Sequence, residues 1–291
     1  MITNTIFFKA TDGVDLKGII YKSQEKTQKI LISIHGMATN CIKQRDEKIA
    51  EKLNEINIDL LAFNNRGHDL VNYIKKEKKE KQLAGTAYEE IAECYEDILG
   101  AIKYAIQNNY SEIYLMGHSL GSTKTIYAYN KMLNKNKDII EKIKGIMLLS
   151  LVDIPTAIKI YLQDDFATMV TYAKNMQKEG MENLLMPEKS FIHPMSVKTF
   201  LRYSINNQDI DFAKFSDKTF EFEEINNIKI PLFMRWGNDR ELILQKADEL
   251  CEFLKTKINN SQLDIGYIEG ANHSYDRKEE ELANQIIGFI K

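Results

Sequence analysis

Cysteine and proline are scarce, with three and four residues respectively in a chain of 291. Cys41, Cys94 and Cys251 lie far apart, lack CxxC spacing and cannot pair evenly, which argues against both a disulfide framework and a zinc site. A basic excess is missing too: the formal net charge is −3 and the pI is near 6.0, so the usual electrostatic ground for a nucleic-acid partner is absent. No apolar run approaches the roughly 20 residues that cross a bilayer, and the terminal Gly-Phe-Ile-Lys is no lipidation motif. Met1-Ile2-Thr3-Asn4-Thr5 passes into a strand-like segment without a basic region, an apolar stretch or a small-residue cleavage site. Together these absences lead us to expect a cytoplasmic protein with no stable membrane insertion.

The hydrophobic share of 44% is ample for a packed core. Residues 5–22 hold two extended runs around the turn signal Thr11-Asp12-Gly13 and read as a hairpin. Short apolar runs at 29–34, 59–63, 112–116 and 145–149 read as buried strands, and the stretches 42–56 and 87–107 carry helical stripes between them. This βαβ rhythm predicts a mostly parallel sheet with helices on both faces. It breaks after Leu151 and resumes at the run 230–236. The intervening segment looks helical over 157–177 and 196–204, and a helix over 242–257, a strand over 263–267 and a helix over 279–290 complete the pattern. The Lys-Lys-Glu-Lys-Lys-Glu-Lys run at 75–81 mixes signs and reads as a solvated loop or helix end.

Gly117-His118-Ser119-Leu120-Gly121 is a G-x-S-x-G sequence between a strand pattern (113–116) and a helix pattern (120–132). That setting is what a nucleophile elbow needs, because the glycines leave room for a strained turn that lifts the serine hydroxyl above the sheet. A serine nucleophile requires a histidine base and an orienting carboxylate, in the chain order Ser, acid, His for such an elbow. His273, after the last strand pattern and before the last helix, fits the base. Asp239, in Trp236-Gly237-Asn238-Asp239-Arg240-Glu241, is the first choice for the acid; Glu241 is its competitor and Asp153 a distant third. The oxyanion calls for two backbone N–H groups, assigned to Leu120 and, from the loop after the 29–34 strand, to Met37. His35 reads as structural, Cys41 as a small buried side chain, His118 as a residue shaping the turn, and His193, before a proline, as a loop residue.

His35-Gly36, Asn65-Arg66-Gly67-His68, the elbow, the Gly-Asn-Asp turn and Gly-Ala-Asn-His-Ser at 270–274 together resemble the α/β-hydrolase superfamily, in its order. Within it, Asn-Asn-Arg-Gly-His-Asp (64–69) with Asn-His-Ser-Tyr (272–275) resembles a little-characterised lidded group related to fungal siderophore esterases. The resemblance implies an α/β-hydrolase core over 1–152 and 228–291 and a helical lid over 153–227. It also implies a carboxylic-ester hydrolase acting on a small-molecule ester or related acyl substrate, without metal or organic cofactor. A thioesterase or amidase with the same triad, and a non-catalytic ligand-binding version of the fold, remain alternatives. So does an interaction role for the 75–81 run. The lid's apolar residues, Phe166, Met169, Met176, Met186, Phe191 and Met195 among them, are expected either to shape the pocket or to pack the lid.

Overall fold

In the computed structural model of the chain, which describes residues 1–76, 81–205 and 211–291, the short apolar runs become the strands of one sheet. These are β1 (Ile2–Lys9), β2 (Asp15–Lys22), β3 (Lys29–Ile34) and β4 (Asp59–Asn64); a separate hairpin of β5 (Asn72–Lys75) and β6 (Lys81–Ala84) follows. The sheet continues with β7 (Glu112–His118), β8 (Ile143–Leu149), β9 (Leu232–Gly237) and β10 (Leu263–Ile268). Its eight strands run in the order β1-β2-β4-β3-β7-β8-β9-β10. β2 is antiparallel to both of its neighbours, and every other pairing is parallel.

Helices α1 (Gln44–Asn54), α2 (Cys94–Gln107), α3 (Leu120–Lys135), α4 (Lys137–Ile140), α5 (Ile154–Leu162), α6 (Phe166–Lys178), α7 (Val197–Ser204), α8 (Glu223–Asn226), α9 (Ala247–Lys257) and α10 (Glu279–Ile290) make the covering layers. Ile49 and Leu53 of α1 and Leu282 and Ile286 of α10 pack one face of the sheet. Ile98 and Ile102 of α2, Ile126 of α3 and Leu250 of α9 pack the other. Coverage on both sides explains why β4 is buried at all of its positions and reads as an unbroken apolar run. β1, at the sheet edge, is largely exposed.

The path from β3 goes to β4 on one side, and the chain later returns to lay β7 on the other. The carboxyl ends of β3 and β7 therefore border a topological switch point, where an open α/β sheet leaves a crevice for a ligand. Both Gly36 and Ser119 stand there.

Between β8 and β9 the chain forms α5 to α8. The expected helix over 157–177 is two helices, broken by a turn at Gln163–Asp165 where Gln163 takes φ 48°. Ile154, Ile158, Met195, Phe200 and Tyr203 form a small core of this segment, whereas Phe212, Phe215, Phe222 and Ile225 pack into the main core. The helix expected from 87 begins at Cys94, after two short 3-10 turns. Of the 75–81 run, Lys75 and Lys81 pair across the β5–β6 hairpin and residues 77–80 lie outside the described residues, as do 206–210 of the expected lid. Among the described residues no helix is long and apolar enough to cross a membrane.

Candidate active site

Ser119 joins β7 to α3 with φ 55° and ψ −125°, a backbone region that L side chains rarely occupy and that is stable only where its surroundings impose it. They do so here. The Ser119 N–H donates to Leu149 O at 2.8 Å, and Ser119 O accepts from the Ser122 N–H at 2.9 Å. A Cβ on Gly117 would run into the backbone of Gly121, and one on Gly121 into the carbonyl of Ile34. With both side chains missing, α3 starts directly against β3. Leu120 is the first residue of that helix, so its N–H has no acceptor within the helix.

His273 sits between β10 and α10, and its Nδ1 is hydrogen-bonded to Oε1 of Glu241. Asp239, the first choice for the acid, is not at the histidine: its carboxylate is half-exposed and pairs with Arg240 at 3.2 Å. The correction has a local cause. Arg240 adopts φ 50°, which turns the chain back, and the longer Glu241 side chain reaches beneath the end of β9. There Oε2 accepts from the Gly237 N–H (3.0 Å) and lies 2.7 Å from the Ser150 hydroxyl, while Oε1 also accepts from the Leu242 N–H (2.9 Å). Burial pushes the Glu241 pKa up, but the His273 contact, the Ser150 hydroxyl and the Gly237 N–H outweigh it and hold the carboxyl below its ordinary value. Asp153, the third candidate, caps α5 by accepting from the Thr156 N–H at 3.2 Å.

Two further side chains fix the histidine loop. His118, whose pKa burial holds well below the usual imidazole range, donates from Nε2 to the carbonyl of His273 at 2.7 Å. Tyr275, fully buried, donates to Arg235 O at 2.8 Å and stands 3.0 Å from the Ser150 hydroxyl.

The loop after β3 meets the elbow from the other side. A Cβ on Gly36 would lie 2.9 Å from His118 O, 3.0 Å from Ser119 Cβ and 3.5 Å from Leu120 N, so only glycine lets the Gly36–Met37 peptide come this close. The buried His35 orients it. The Asn65 N–H donates to His35 Nε2 at 3.2 Å, leaving the proton on Nδ1, which donates to Gly36 O at 2.9 Å. Burial, helped by the Lys124 charge, pushes the His35 pKa down to about 3. Lys124 is itself wholly buried, ion-paired with Glu89 at 2.5 Å and donating to Asn65 Oδ1 at 3.1 Å.

A cavity of about 380 Å³ opens on these groups. Ser119, His273, Met37, Leu120 and His118 line it together, with an apolar wall of Val152, Ile154, Ala157, Phe191 and Ile192, and a charged edge that includes Lys43, Arg45, Asp276 and Glu279. Of the lid's apolar residues singled out in the sequence, Phe191 reaches this cavity, while Met186 and Met195 are buried in the segment's own core. His193, expected as a loop residue, lies in a bend and lines the cavity as well. Cys41 is buried, and burial raises its thiol pKa. Among the described residues no group of three or more His, Cys, Asp or Glu side chains is placed to hold a metal ion.

Ser150 and the Lys124–Glu89 pair carry no motif and were not anticipated. The one available signal for Ser150 was its place just beyond the carboxyl end of a central strand.

A protein-family profile described as "Protein of unknown function (DUF1749)" matches residues 68–291. No curated protein matches the sequence. Among solved structures, an alpha/beta hydrolase, GrgF, from Penicillium sp. sh18 superimposes with a TM-score of 0.68 at 16% identity, covering 100% of this chain and 98% of that one. Est1E from Butyrivibrio proteoclasticus, with ferulic acid bound, gives 0.62 at 17% identity over 98% of each chain. A soluble variant of monoglyceride lipase from Saccharomyces cerevisiae, in complex with a substrate analogue, gives 0.65 at 13% identity over 98% of this chain and 94% of that one. The likeness establishes the α/β-hydrolase fold.

Proposed function

We propose that this chain, which belongs to the DUF1749 family of proteins of unknown function, is a serine hydrolase that cleaves a carboxylic ester through an acyl-enzyme. One observation carries the reading: Ser119, in a strained strand-to-helix turn, faces the same cavity as His273, whose Nδ1 is engaged by a buried, ionised carboxylate. With Nδ1 donating to Glu241, Nε2 of His273 is the ring nitrogen left to take a proton.

Ser119 Oγ attacks the acyl carbonyl as Nε2 removes its proton. The carbonyl oxygen becomes an oxyanion, which accepts hydrogen bonds from the Leu120 and Met37 N–H groups. His273 then returns the proton to the leaving alcohol. Water, activated by the same nitrogen, releases the acid and regenerates Ser119. Glu241 stays ionised throughout and stabilises the imidazolium, a role its depressed pKa suits.

Helices α5 to α7 and the loops between them act as the cap over this site, since Ile154, Ala157, Phe191 and Ile192 supply the apolar wall that receives the acyl or alcohol chain. The monoglyceride lipase from Saccharomyces cerevisiae among the structural neighbours agrees with an ester substrate. The three free cysteines suit a reducing cytoplasm.

The test is hydrolysis of a p-nitrophenyl ester series from acetate to palmitate, with Ser119→Ala as control and a fluorophosphonate probe for labelling. Turnover and labelling that both vanish in Ser119→Ala are the expected result. A wild-type protein that neither turns over an ester nor takes the probe overturns the reading in favour of a non-catalytic binding fold.

A further inference from the structure

We propose that Ser150 is a positioning residue for the catalytic pair, its hydroxyl orienting the Glu241 carboxylate toward His273. The inference rests on the serine-hydrolase reading above and adds a fourth side chain to its machinery.

Ser150 follows β8 directly and takes φ 45°, a left-handed conformation that is strained for a residue with a side chain. Its N–H donates to Arg235 O at 2.7 Å, which ties the turn to the end of β9. The hydroxyl has one proton and three neighbours: Glu241 Oε2 at 2.7 Å, the Tyr275 hydroxyl at 3.0 Å and His273 O at 3.3 Å. The carboxylate is the nearest and the only charged acceptor, so it takes the proton in a charge-assisted bond. Tyr275 spends its own proton on Arg235 O, which leaves its oxygen unable to compete as a donor to Glu241. The strained turn thus places a donor where β9 and its loop supply only the Gly237 N–H to the same oxygen.

The consequence is electrostatic. The hydroxyl stabilises the state with neutral His273 and ionised Glu241 more than either protonated form of the pair, because its dipole favours the anion and opposes the imidazolium. Removing it therefore raises the apparent pKa of the pair, whichever partner takes the proton. The other titratable and charged groups that face the pair stay in place: His118, Tyr275, Lys43, Arg45, Asp276, Glu279 and His193.

The experiment compares Ser150→Ala, Ser150→Gly and Ser150→Cys with wild type. It reads kcat/KM for p-nitrophenyl butyrate from pH 5 to 9, the His273 ring pKa by NMR, and thermal melting. Loss of the hydroxyl in Ala and Gly should move the acid limb and the His273 pKa up by about half to one pH unit. The Cys variant, a weak donor, should fall between. Glycine should melt above alanine because it relieves the positive φ, so the pH shift and the stability change part company. Unchanged acid limbs and His273 pKa values in Ala and Gly, with only melting altered, overturn the inference. A His273 pKa that moves up in the Ala and Gly variants while the wild type hydrolyses no ester upholds the positioning and sinks the esterase reading instead.

Discussion

Glu241 holds Nδ1 of His273 with one carboxylate oxygen while its other oxygen is bonded back to its own strand end, at the Gly237 N–H 3.0 Å away. The Glu241 carboxylate is thereby fixed from both sides, and Asp239, two residues earlier, is left to pair with Arg240. Glu241→Gln should lower kcat by about 10⁴-fold, the scale seen when a triad acid is neutralised and the imidazole tautomer is lost. Asp239→Asn should change it by less than about twofold, as for an exposed ion pair. Steady-state kinetics on one ester decides between them: equal losses would return the acid to doubt.

Gly36 is the point at which the β3 loop touches the elbow, with a hypothetical Cβ 3.0 Å from Ser119 Cβ. Gly36→Ala should push the Met37 peptide away and reduce kcat by about 10–100-fold with KM little changed, as expected when one oxyanion donor is displaced. A purely structural cost would show instead as a lower melting temperature at normal kcat.

The Lys124–Glu89 pair is wholly buried beside Asn65. Lys124→Met alone should destabilise by about 3–5 kcal/mol because it strands a buried carboxylate. Adding Glu89→Gln should recover part of that loss. Urea unfolding of the two single variants and the double variant measures the coupling, and additive effects would mean the pair does not act as one unit.

His35 makes stability depend on pH. Its folded pKa, pushed down to about 3 by burial, lies below the ordinary 6.5, so below that value the unfolded chain binds a proton that the folded chain refuses. Stability is complete above about 6.5 and falls as the pH drops toward 3; His35 alone should cost about 2 kcal/mol between pH 7 and pH 5. His118, also depressed by burial, acts with the same sign. In His35→Gln the slope of unfolding free energy against pH should flatten over this window, and an unchanged slope would place the titration elsewhere.

Ala157 lies on the apolar wall of the cavity. Ala157→Phe should cut kcat/KM for long-chain p-nitrophenyl esters by about tenfold or more relative to acetate, since a filled pocket discriminates by a few methylenes at 1–3 kcal/mol each. A uniform loss across the series would show that the chain does not run along this wall.

The sheet was legible because its central strands are apolar on both sides: the run at 29–34 matches β3 end for end, and the helix expected at 279–290 matches α10. The β5–β6 hairpin escaped because its strands have four residues each and stand off the main sheet, and neither Asn-Tyr-Ile-Lys nor Lys-Gln-Leu-Ala alternates apolar with polar residues. The elbow was legible because close backbone approach forces glycine at 117 and 121. Between the two carboxylates offered by the sequence, Glu241 rather than Asp239 stands at His273 for a conformational reason, the positive φ at Arg240, which no residue spacing announces. Ser150 is an ordinary residue in the sequence; only the convergence of β8, β9 and the loop after β10 brings it to the Glu241 carboxylate, with the Tyr275 hydroxyl beside it.

Met37 and Leu120 each have two attachments. Both residues line the cavity with Ser119, while Leu120 belongs to, and Met37 packs against, the cluster that holds Ile158, Met195 and Phe200 of the segment between β8 and β9. Under the proposed mechanism this makes rate and substrate scope hard to tune separately. Any repacking of the cap to accept a different ester also leans on the two peptides that bind the oxyanion, so divergence within this fold would have to find compensating pairs of substitutions, one in the cap and one beneath it.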